Sequence, residues 1–179
     1  MEQAELVSVA KKRELEEMFP DLSRVLWGEL RPPSKARGPY VYRAVSVFDR
    51  WLGEDLSALD FSTEAEYKKR NAPLDCFNES LINSTEALQL GPDYENPSFF
   101  DFASRQAAQT YCRQSASDAE RGQFFRLVLP DLKTVYLESW DFTNVIYMRD
   151  PDVLPVFQGL ADGTGVHLLE WEERNSQST

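Results

Sequence analysis

GQFFRLVLPDLKTVYLESWDFTNVIYM, residues 122–148, is the stretch on which the fold class turns. Phe125, Leu127 and Leu129 alternate along its first run, and Pro130-Asp131 is a turn signal. A second β-rich run follows from Thr134, and a third occupies 143–148. Three short runs joined by short connections predict consecutive strands. Downstream, "LADGTG" at 160–165 reads as a turn leading into a last strand, "GVHLLEW". Upstream, helical and strand patterns alternate, which predicts an α+β fold: an N-terminal helical segment, then a mixed, mainly antiparallel sheet core.

Working back from that stretch, residues 96–112, "NPSFFDFASRQAAQTYC", join a strand (FFDFA) to a helix. Ser104 is a good N-cap for that helix, and Ala107, Ala108, Tyr111 and Cys112 make one face of it. Between Ala72 and Pro97 the polar turn signals predict loop with one short helix. "STEAEYKKRN", 62–71, predicts a helix opening on a Ser62 or Thr63 cap, with Glu and Lys at i,i+4. "YVYRAVSV", 40–47, predicts a strand with Arg43 on one face and Tyr42 and Ala44 on the other. At the N-terminus, Leu6, Val9, Ala10, Leu15, Met18 and Phe19 recur at helical spacing until Pro20 stops the helix. "DLSRVLWGEL" adds a further turn of helix, and "RPPSKARGP" is a loop. The expected organisation is one globular domain over 1–179: a helical part (1–37), an α+β core (38–173) and a flexible tail (174–179).

The chain's 179 residues are 42% hydrophobic, with four Trp, seven Tyr and eleven Phe, enough to bury a full core. Its formal charge is −11. That charge repels phosphate backbones, and no basic stripe offsets it, so nucleic acid is not an expected partner. Residues 1–37 balance seven basic against seven acidic side chains, whereas 38–99 carry five against eleven and 100–179 carry seven against twelve. Such a surface serves solubility and suits a partner protein with a basic surface. Cys76 and Cys112 form no C-x-x-C pair and have only His167 to share, so neither a disulfide framework nor a metal site is signalled. No run has the length of a membrane span, and the N-terminus lacks the apolar core of a secretory signal. A reducing cytoplasm is the expected compartment, or delivery by a secretion system without such a signal. The sequons at Asn78 and Asn83 are then chance matches.

Four places carry candidate chemistry. Arg43, a cation on an otherwise apolar strand, must meet solvent, a carboxylate or a bound anion. Ser104 caps a helix and also stands where a strand end presents ligands. Glu138 ends a strand beside Trp140 and Asp141, a setting that shifts carboxylate chemistry. Glu170 and Glu172 form a Glu-x-Glu near the C-terminus. G-x-S-x-G, P-loop, G-x-G-x-x-G and H-E-x-x-H motifs are absent.

In their order, Arg43 on an early strand, Ser104 between a strand and an Ala-rich helix, and a late Glu138, these pieces resemble the ADP-ribosyltransferase superfamily over about residues 38–140. The resemblance implies a core of that type and NAD as substrate. It further implies Arg43 on the NAD phosphates, Ser104 on the nicotinamide ribose, Phe102 with Phe99 and Phe100 walling the nicotinamide, and Glu138 as catalytic acid. A carboxylate suits the positive charge that develops on the ribosyl centre. The sequence departs from the family pattern: "FAS" replaces Ser-Thr-Ser, Ala44 follows Arg43 instead of Gly, and Glu138 lies in "LES" with no Glu or Gln two residues before it. Two function classes follow. One is an NAD-dependent transferase modifying a macromolecule, of bacterial or phage toxin or effector kind. The other is a non-enzymatic acidic protein, an immunity protein, antitoxin or inhibitor, that blocks a basic partner.

Overall fold

The structure, a computed structural model, describes residues 4–30, 38–52, 63–117 and 124–170. The expected loop at 31–37, Ser62 as a cap, Glu172 and the tail at 174–179 lie outside them. Along the chain run β1 (Glu5–Leu6), α1 (Val9–Met18), α2 (Leu22–Leu26), β2 (Val41–Ser46), α3 (Glu64–Ser84), β3 (Leu88–Leu90) and β4 (Phe99–Asp101). There follow α4 (Arg105–Ser117), β5 (Arg126–Leu129), β6 (Thr134–Glu138), β7 (Thr143–Met148), α5 (Leu154–Thr164) and β8 (His167–Leu169). The eight strands form one sheet in the order β1-β4-β3-β5-β6-β7-β2-β8. Every described pairing is antiparallel, so the fold is α+β as expected, and the sheet is not mixed.

The run at 122–148 becomes the meander β5-β6-β7, and the Pro130 turn closes with Lys133 N–H on the Pro130 carbonyl at 3.0 Å. These strands are covered on both faces, which is why β6 reads as nearly continuous apolar sequence. One set of side chains, Val45, Leu127, Leu129, Tyr136, Ile146 and Met148, meets Leu74, Phe77, Leu81 and Ile82 of α3, Ala108 and Cys112 of α4, and Phe157 and Ala161 of α5. The alternate set, including Tyr42, Val128, Val135, Leu137, Val145 and Tyr147, meets Leu15 and Phe19 from α1 and its end, and Leu22 and Val25 of α2. A three-layer stack of helices, sheet and helices results.

Three expectations are corrected. Leu6 belongs to the edge strand β1, and Val9 and Ala10 are exposed, because α1 starts only after Ser8 caps it through the Lys11 N–H at 3.2 Å. The buried side of α1 is Leu15, with Phe19 just beyond it. Residues 72–84 are not loop: α3 starts from a Thr63/Glu66 capping box and passes through Pro73 as far as Ser84. Leu74, Phe77, Leu81 and Ile82 bury one helical stripe against the sheet, and that burial outweighs the hydrogen bond Pro73 removes. Finally, "LADGTG" is the last turn of α5, ended by Gly165 at φ 80° with its N–H on the Ala161 carbonyl at 3.0 Å.

Candidate functional site

β6 ends at Glu138 and β7 begins at Thr143, and the turn between them builds the rim of a cleft. Thr143 N–H closes that turn on the Trp140 carbonyl at 3.2 Å. Its two central residues, Asp141 (φ 61°) and Phe142 (φ 54°), are both left-handed, the requirement of a type I′ hairpin turn. Asp tolerates that conformation. Phe does so rarely, and here its ring is 9% exposed and packed 4.8 Å from Tyr67, so burial holds the backbone there. The same turn leaves Trp140 61% exposed, edge-on to Phe124 at 4.6 Å.

The cleft encloses about 270 Å³ between this hairpin and the first turns of α3. Its lining includes the aromatic residues Tyr67, Phe124, Trp140 and Phe142, the acidic residues Glu138 and Asp141, and Asn71 and Asn144. Among the described residues lining it there is no Lys or Arg. Glu138 is anchored: its Oε2 accepts from the Phe125 N–H at 2.9 Å, and its own N–H donates to the Phe125 carbonyl at 3.0 Å. Burial, then the charges of Glu138 and Asp75, raise the Tyr67 hydroxyl above its ordinary range, so the hydroxyl stays protonated. Behind the cleft, Asn144 Nδ2 donates to Tyr136 Oη at 2.6 Å and Tyr136 Oη donates to Asn78 Oδ1, a fully buried polar link from β7 through β6 to α3. Asn78 is thereby buried in the core, which removes its sequon from the surface.

Arg43 lies on the same face of the sheet as Glu138, since Arg43 opposes Ile146 and Tyr136 while Glu138 opposes Asn144 and Val45. Its guanidinium meets Glu170 at 3.1 Å and the Tyr42 carbonyl at 2.8 Å, so of its three expected surroundings the carboxylate is realised. Arg43 does not line the cleft. Ser104 caps α4, its Oγ accepting from the Ala107 N–H at 3.1 Å. It follows β4, whose Asp101 is level with Leu88 and Val128 and so with the start of β6, at the end of the sheet away from Glu138. Five strand spacings of about 4.8 Å, about 24 Å, separate β4 from β2. Phe102 packs on Tyr111 at 5.5 Å near Ser104, and Phe99 faces the α1 and α2 layer, so the three phenylalanines do not form one wall. The structure thus brings Glu138, Trp140 and Asp141 together and leaves Arg43, Ser104 and Phe102 elsewhere.

Tyr67, Asn71, Phe124 and Asn144 escape sequence reading because they come from separate segments, each with an ordinary local explanation. Only Trp140, a large aromatic between two acids, marks the site locally. Among the described residues no group of His, Cys, Asp and Glu is placed to hold a metal ion, and no helix is long and apolar enough to cross a membrane. No protein family, curated protein or solved structure matches the chain.

Proposed function

We propose that this protein works by binding a partner protein with a basic surface, in the manner of an inhibitor or immunity protein, with the β6-β7 hairpin end as its contact surface. One observation carries this reading: the cleft at that end is lined by two acidic and four aromatic residues, with no cation among its described lining residues. Such a surface attracts positive charge and repels phosphate. An exposed Trp beside it supplies the kind of rigid aromatic contact on which protein interfaces concentrate their binding energy.

The second reading, ADP-ribosyl transfer from NAD with Glu138 as acid, draws support from the position of Glu138 in that cleft. It needs Arg43, Ser104 and Phe102 on the same dinucleotide, and their spread across the sheet counts against it. The cleft volume of about 270 Å³ also falls just below the roughly 300–1,000 Å³ common for cofactor and drug-sized sites.

An array of basic peptides, probed with the full chain at rising salt, tests the binding reading. Selected sequences should bind saturably, weaken as salt rises, and weaken again for the double substitution Glu138→Gln, Asp141→Asn. Binding that no peptide achieves above its scrambled control, or that the double substitution leaves unchanged, overturns it.

A further inference from the structure

We infer that the cluster of Trp27, Tyr94 and Arg126 is a subsite for a carboxylate carried next to an aromatic group, with the Arg126 guanidinium as its anchor. The cluster shares no residue with the hairpin cleft, and it does not depend on the binding reading.

Three elements build it. Arg126 opens β5 level with Leu137 of β6 and on the same face as Val128, so its side chain leaves the sheet on the side covered by α1 and α2. Its backbone N–H is fixed on Tyr111 Oη at 3.2 Å, and its guanidinium lies 5.0 Å above the Tyr94 ring. Tyr94 belongs to the loop between β3 and β4, closed by Gly91 N–H on the Ser98 carbonyl at 2.8 Å. Within that loop Asp93 Oδ1 accepts from the N–H groups of Glu95 at 2.9 Å and Asn96 at 3.1 Å. Trp27, at the end of α2, is 59% exposed and meets Tyr94 edge-on at 5.0 Å. Tyr94 therefore touches both a cation and an exposed indole.

What points to a ligand is that the Arg126 side chain has no acceptor among the described residues. The other half-buried arginines each meet an oxygen: Arg24 that of Glu29 at 3.1 Å, Arg43 that of Glu170 at 3.1 Å, and Arg149 the Met18 carbonyl at 2.8 Å. The chain has 30 acidic residues, yet none of the described ones pairs with Arg126. Its Nε is buried without a partner, and its two terminal nitrogens, also without partners, are not fully buried. Folding alone does not explain an arginine here. A buried N–H without an acceptor costs stability, the ring contact returns little, and a methionine would fill the same place with no orphaned donor.

The chemistry of the ligand follows from which donors are open. With Nε enclosed, approach is end-on, and the two terminal nitrogens present parallel N–H groups that a planar carboxylate matches with both oxygens. The formal charge of −11 repels a phosphate dianion more than a carboxylate. The exposed Trp27 indole offers the group beside that carboxylate an aromatic partner.

Nitrogen-15 NMR of the full chain tests the inference by following the Arg126 Nε–H, the Trp27 indole and the 92–96 amides during titration at constant ionic strength. Acetyl-phenylalanine carries a chain-end carboxylate beside a ring, and acetyl-glutamyl-phenylalanine amide carries one on a side chain. Acetyl-phenylalanine amide keeps the ring without charge, and inorganic phosphate keeps charge without the ring. At least one of the two carboxylate probes should shift these signals saturably, and the tighter of them identifies the source. The neutral amide and phosphate should bind several-fold more weakly. Arg126→Met should abolish the shifts without lowering the melting temperature, and Arg126→Lys, which keeps the charge and loses the fork, should weaken binding several-fold. Trp27→Ala, at an exposed position, should weaken it by about 2- to 10-fold, the worth of one aromatic pair. If neither carboxylate probe shifts the cluster, if the amide or phosphate binds as tightly, or if Arg126→Lys binds as well as the parent, the inference fails. Should Arg126→Met not fold, Arg126→Lys decides by the same criterion.

Discussion

Ser104 shows how a residue that suggests ligand contact from sequence can have its role in the fold. Its hydroxyl accepts the Ala107 N–H and so satisfies one of the open donors of α4. Ser104→Ala should cost about 1 kcal/mol, and Ser104→Asp should restore most of it because Asp caps equally well. Chemical denaturation checks both. Full loss with Asp as well would mean that the hydroxyl does something other than capping. Asp75 gives a second test at this scale. Burial raises its pKa, while the Asn71 amide at 3.0 Å and the Arg113 charge pull the other way. The folded state thus holds its proton more tightly than the unfolded chain. The stabilising contribution of the protonated acid is complete below the ordinary carboxylate range and is lost as pH rises through the folded value. Asp75→Asn should therefore raise the melting temperature at pH 7, with the gain shrinking towards pH 3. A gain that is constant with pH would rule out the buried charge as its cause.

Among the elements, those with a clean two-residue alternation or a good cap were legible. β2 and the three-strand meander follow from their patterns, as does the Thr63 start of α3. What sequence hid was burial that overrides local signals. Pro73 and the polar Asn78 interrupt the reading of α3, yet its stripe from Leu74 to Ile82 is core. Gly159, Gly163 and Gly165 make α5 look like a turn. Asn78 is tolerated because Tyr136 and Asn144 satisfy it, which ties α3 to two adjacent strands. Tyr136→Phe removes the central hydroxyl and leaves two buried amides short of a partner. It should cost about 1–3 kcal/mol in denaturant unfolding, well beyond the loss of one exposed hydrogen bond. A change below about 0.5 kcal/mol, the range of neutral surface substitutions, would mean that the three polar groups are not coupled.

At the scale of the whole molecule, the order of candidate residues along the chain did not become proximity in space. Sequence placed Arg43, Ser104 and Glu138 in an order that suggested one site. The sheet order interleaves β3, β5, β6 and β7 between β4 and β2, and no local pattern encodes that interleaving. The acidic balance was legible from composition. Its concentration with aromatics at one hairpin was not, because the lining residues come from α3, the segment before β5 and the β6-β7 hairpin. The proposal that the protein binds a basic partner and does not consume NAD is checked by calorimetric titration of NAD into the full chain. A protein of that kind gives no saturable heat up to millimolar NAD and releases no nicotinamide. Saturable NAD binding that Arg43→Ala abolishes without unfolding the protein, accompanied by turnover that Glu138→Gln removes, would contradict it.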